Sequence, residues 1–156
     1  MINLFEGKQV EILLVEDNLG DVELTREAFK QCKITNNISV ARDGEEALDF
    51  LYKRNGFEDA ITPDIIFLDL NIPKKDGKQV LAEIKEDSAL KRTPVVILTS
   101  SKAERDVVKT YNLHANSYLI KPVNLEKFAE VVEAIGNFWF TVVVLPKKED
   151  LLEKAG

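Results

Sequence analysis

The chain has 156 residues, 45% of them hydrophobic, which suits one domain able to bury a substantial core. Its formal net charge of -6 argues against an extended phosphate-binding surface for nucleic acid, while leaving room for a small acidic site that recruits a cation. A lone cysteine, Cys32, excludes an internal disulfide or a multi-cysteine metal centre, and no apolar run approaches the roughly 20 residues of a membrane helix.

From Val10 to Val15 an apolar run predicts a buried strand, and Asn18 then caps a helix through about Gln31. Asp21 lies in its first turn, and Val22, Thr25 and Phe29 share one face. Asn37 to Ala41 reads as a shorter second strand. Asp43-Gly44-Glu45-Glu46 fits a capping box that opens a helix carrying Ala47, Leu48, Leu51 and Tyr52. After a loop from Asn55 to Pro63, the stretch Asp64-Ile65-Ile66-Phe67-Leu68-Asp69 predicts a third strand with a carboxylate at its tip, and the chain then turns through Asn71 and Pro73. Asp76 caps a helix with Val80, Leu81 and Ile84 inward, and Pro94 precedes a fourth strand, Val95 to Leu98. Ser101 and Glu104 make a further capping box for a helix with Val107, Val108 and Tyr111. Ser117 to Ile120 is a short fifth strand, and Asn124 starts a last long helix. Five strands alternating with five helices call for an α/β, doubly wound parallel sheet, because parallel neighbours need right-handed crossovers and helices must cover both faces.

The polar interruptions fall at C-terminal strand ends: Glu16-Asp17 after the first, Asp69 at the third, Thr99-Ser100-Ser101 at the fourth and Lys121-Pro122 at the fifth. That edge is where open α/β sheets bind ligands. With strand order 2-1-3-4-5, the first and third strands are neighbours and Glu16, Asp17 and Asp69 converge. Three such carboxylates repel unless a cation sits among them. Oxygen ligands without histidine or cysteine favour Mg2+, with Mn2+ or Ca2+ able to substitute, and a backbone carbonyl near Asn71 is a further candidate ligand. Lys121 adds positive charge. Asp69 is then the carboxylate best placed to attack an incoming phosphoryl group and form an aspartyl phosphate, with cation and lysine stabilising the transferring oxygens.

These residues resemble the receiver domain of two-component response regulators over about residues 9 to 138. Glu16-Asp17 is similar to the family's acidic pair, Asp69 to its phosphoacceptor, Thr99 to its switch hydroxyl, Tyr118 to its switch aromatic and Lys121 to its lysine before proline. The resemblance implies a flavodoxin-like (βα)5 fold with order 2-1-3-4-5. It also implies phosphorylation by a sensor histidine kinase, with Thr99 drawn toward the phosphoryl group and Tyr118 following it. Glu16 stands where Asp is frequent, and its longer side chain suits a water-mediated metal contact. Within the family, Val15-Glu16-Asp17-Asn18 with Asp21, and Asn137-Phe138-Trp139-Phe140, look like the stand-alone regulators partnered with cyanobacterial phytochromes. On this basis residues 1–8 are an N-terminal arm, 9–146 a receiver domain with an apolar C-terminal extension, and 147–156 a charged tail.

Each feature alone has a plainer explanation: an acidic turn, a cap at Thr99-Ser100-Ser101, a core tyrosine, a surface lysine. Their ordered recurrence at strand ends favours the site. His114 and Cys32 are assigned no function. The last helix carries Leu125, Phe128, Val131, Val132, Ile135, Phe138 and Trp139, more apolar surface than one docking stripe needs. Either it and the apolar run after it fold back on their own core, or they form a patch for a partner; the resemblance favours a homodimer. No signal-peptide pattern precedes Lys8, so a cytoplasmic protein without membrane attachment is expected, signalling through protein contacts and acting as no enzyme beyond its own phosphorylation and dephosphorylation. Two alternatives stand beside this: a phosphohydrolase of the haloacid dehalogenase type, and a binding module independent of phosphorylation. The hydrolases resemble Asp-x-Asp at the nucleophile, whereas here the second position is Asn71.

Overall fold

The computed structural model describes residues 9–30, 36–99 and 117–121, with the backbone alone for residues 99 and 117–120. Strand and helix alternate as the hydrophobic period does: β1 (Val10–Val15), α1 (Leu19–Lys30), β2 (Asn36–Ala41), α2 (Gly44–Tyr52), β3 (Ile65–Asp69), α3 (Gly77–Glu86), β4 (Val95–Thr99) and β5 (Ser117–Ile120). The strands form one parallel sheet in the order β2-β1-β3-β4-β5. The expected fourth and fifth helices, both chain ends, Cys32 and His114 lie outside the described residues.

Central strands read as unbroken apolar runs because both of their faces are covered. Along β1, Leu13 and Val15 join Ala47, Leu48, Leu81 and Ile84 beneath α2 and α3. Their neighbours Ile12 and Leu14 join Val22, Phe29 and Phe67 on the α1 side. There Phe29 and Phe67 meet edge to face, with centroids 5.2 Å apart and planes at 87°.

Side-chain caps set the helix starts. Asn18 Oδ1 accepts the Asp21 N–H at 3.0 Å, and Asp43 Oδ1 accepts the Glu46 N–H at 2.7 Å. At α3 the cap expected of Asp76 is a complete reciprocal box: the Gln79 N–H donates to Asp76 Oδ1 at 2.9 Å, and Gln79 Oε1 accepts the Asp76 N–H at 3.1 Å. Tyr52 closes α2 just before Lys53 turns left-handed (φ 56), and its exposed ring lies beneath the Arg54 guanidinium, 5.0 Å from the centroid.

The start of α3 packs closely against the end of β3. The Gly77 N–H donates to Leu70 O at 3.1 Å. A Cβ at Gly77 would come within 2.5 Å of Asp69 O and 2.6 Å of Leu70 Cα, so only glycine lets α3 begin this close to the strand it follows.

Candidate functional site

Because β1 and β3 are hydrogen-bonded neighbours with Val15 opposite Leu68, the residues that follow β1 and those that end β3 come out side by side. The Glu16 N–H donates to Ala41 O at 2.9 Å, which extends the β1–β2 ladder by one residue and fixes Glu16 at the sheet edge. Glu16 and Asp69 are buried, 1% and 2% exposed, while Asp17 is exposed. One carboxylate oxygen from each of the three lies within 4.8 Å of the others.

Lys121 directly follows β5, on the far side of β4 from Asp69, and its long side chain crosses that gap. Its Nζ lies 2.7 Å from Asp69 Oδ2, 2.6 Å from Glu16 Oε2 and 2.9 Å from Asp21 Oδ2. The Asp69 and Asp21 contacts are aligned hydrogen bonds. Glu16 Oε2 has charge contact with the ammonium but receives no directed hydrogen bond. The other oxygens of the pair are held by the backbone: Asp69 Oδ1 accepts the Asn71 N–H at 2.9 Å, and Glu16 Oε1 accepts the Asn18 N–H at 3.1 Å.

Burial pushes the Glu16 carboxyl up to about 7, and contact with Asp69 adds to the rise, against the opposing pull of Lys121 and the Asn18 N–H. Burial alone would lower the Lys121 ammonium. The carboxylates of Asp69, Glu16 and Asp21 outweigh it and hold the group above the ordinary lysine range. Glu16, Asp17 and Asp69 converge as an oxygen-only donor set that fits a hard divalent cation.

Of the residues singled out in the sequence, Glu16, Asp17, Asp69 and Lys121 stand together, and Asn71 joins them through its backbone N–H. Thr99 ends β4 and Tyr118 lies in β5; their side chains lie outside the described residues. Sequence reasoning passed over Asp21 as a ligand of Lys121, treating it as an acid in a first helical turn.

A family model described as the response regulator receiver domain matches residues 12–133. The response regulator Rcp1 of Synechocystis sp. is 47% identical over 135 residues, covering 86% of this chain and 92% of that protein. The Mn(2+)-bound form of Rcp1 superposes with a TM-score of 0.71 at 46% identity, covering 86% of this chain and 96% of that one. The phosphorylated cyanobacterial phytochrome response regulator RcpA does so with a TM-score of 0.72 at 44% identity, covering 85% and 94%.

Proposed function

Because the chain belongs to the response regulator receiver domain family, we propose that Asp69 accepts a phosphoryl group from the phosphohistidine of a sensor histidine kinase, and that the protein signals through contacts with other proteins. The observation that carries this reading is the arrangement around Asp69: an ammonium at 2.7 Å on one oxygen, a backbone N–H on the other, and two further carboxylates within reach of a shared cation.

A carboxylate oxygen of Asp69 attacks phosphorus as the P–N bond of the donor breaks, and the bond pair returns to the imidazole nitrogen. Lys121 follows the negative charge: its N–H bond to Asp69 Oδ2 is exchanged for one to an oxygen of the transferred group. Glu16, Asp17, Asp69 and the Asn71 backbone carbonyl would hold Mg2+, which supplies positive charge to the phosphoryl oxygens when bound. Similarity to a Mn(2+)-bound regulator supports a divalent ion here, and the oxygen-only donor set favours Mg2+, with Mn2+ or Ca2+ able to substitute. Thr99 and Tyr118 are the proposed readout, the hydroxyl turning to the phosphoryl group and the ring following.

Similarity to the phytochrome regulator RcpA supports a phytochrome histidine kinase as the phosphoryl source. A homodimer through the last helix and the apolar C-terminal segment, and a cytoplasmic location, belong to the same reading; among the described residues no helix is long and apolar enough to cross a membrane. A monomer at every concentration in sedimentation experiments would rule the dimer out. The hydrolase alternative is not favoured. Asn71 stands where such an enzyme places its second carboxylate, and steady turnover of small phosphate esters would revive it.

The test is incubation with Mg2+ and a small phosphodonor, followed by intact mass and peptide mapping, beside Asp69→Asn and Asp17→Ala. One labile phosphoryl group on Asp69, absent from both variants, is expected. A stable modification elsewhere, or none, overturns the reading.

A further inference from the structure

Lys121 has three N–H groups and three carboxylate neighbours, Glu16, Asp21 and Asp69. The three differ in what the phosphorylation proposed above asks of them. Asp69 becomes the acceptor, so the oxygen that now takes the lysine's bond joins an acyl phosphate. Glu16, buried and meeting the ammonium at 2.6 Å without an aligned hydrogen bond, is a proposed cation ligand and would turn to the cation when one binds. Asp21 has neither duty. It is held from a different element, the first turn of α1, where the Asn18 cap takes its backbone N–H and Thr25 Oγ1 donates to its carbonyl at 2.8 Å. The backbone beneath its carboxylate is therefore fixed at both polar groups.

We propose that Asp21 is a positioning residue: it anchors the Lys121 ammonium through the whole phosphorylation cycle, keeping it aimed at Asp69 when Glu16 and Asp69 turn to their own tasks. The bond is aligned, 2.9 Å long and only partly screened, with side chains 24% and 14% exposed. A long, flexible lysine that reaches past β4 loses its fixed direction without such an anchor. An acid there also suits the positive end of a helix, so a purely structural role for Asp21 is the competing explanation.

The proposal rests on Asp69 being the acceptor, and the experiment separates the two. Wild-type protein, Asp21→Asn and Asp21→Ala are phosphorylated by a small phosphodonor over a range of donor concentrations. Mn2+ affinity and thermal stability are measured in parallel. Asn keeps an acceptor oxygen without the charge, and Ala keeps neither. The maximal rate is expected to fall about threefold in Asp21→Asn and about tenfold in Asp21→Ala. Mn2+ affinity should stay near that of the wild type, and the rate losses should not follow the changes in thermal stability. Wild-type rates in both variants, or losses that simply track stability or metal affinity, overturn the anchoring role while leaving Asp69 as acceptor. A wild-type protein that takes no phosphoryl group on Asp69 overturns both. Should Asp21→Ala fail to fold, Asp21→Asn against wild type still decides, since Asn is well tolerated in a first helical turn.

Discussion

Glu16 lies between two demands, being deep enough to be desolvated and close enough to Asp69 to share its charge. Its folded pKa of about 7 lies above the ordinary 4.5, so its contribution to metal-free stability is fully present below that lower value and is lost as pH rises through the higher one. A divalent cation requires the charged form and must displace the proton. Calorimetry in buffers of different ionisation enthalpy should therefore detect about one proton released per metal ion near pH ~6 and almost none near pH ~8. Glu16→Gln should abolish that release and weaken metal binding by about tenfold. A proton count that does not change with pH would show that Glu16 is not the group the metal discharges.

Helix starts are the elements on which the site depends most directly. Gly77→Ala must move either α3 or the backbone of Asp69, so it is expected to cost about 2–3 kcal/mol in urea unfolding and also to slow phosphorylation. Asp76→Ala removes only the cap, costs about 1 kcal/mol and should leave the chemistry intact. Equal effects on phosphorylation from both would show that the close approach at Gly77 has no special role. The elements themselves were legible because their signals are local. Val10–Val15 and Ser117–Ile120 are the predicted spans, and the caps at Asn18, Asp43 and Asp76 lie within a few residues of the helices they open. What escaped is long-range. The bond from Lys121 to Asp21 joins residues 100 apart, and no periodicity or capping pattern carries it. The carboxylate cluster was readable only once topology made β1 and β3 neighbours.

At the scale of the molecule, the sheet separates two apolar clusters. Leu81 lies in the one beneath α2 and α3, and Phe29 in the one beneath α1. Leu81→Ala and Phe29→Ala should each cost about 3 kcal/mol, and the double variant should equal their sum within about 0.5 kcal/mol. A clear shortfall in urea melts would mean that the clusters communicate through the sheet. The loop after β3 gives this layered plan a chemical consequence. It is tied at its base by the Gly77 N–H to Leu70 O and partway along by the Gly44 N–H to Pro73 O at 3.3 Å. The entropy of placing the carboxylate proposed as acceptor is thus spent during folding and not at the encounter with a donor. Asp69 and its surroundings behave as a socket cut before the plug arrives. Within that loop the Asn71 side chain is where substitution is expected to change the lifetime of the phosphorylated state proposed for Asp69, whereas Ile72 is buried in the core and is not free to vary.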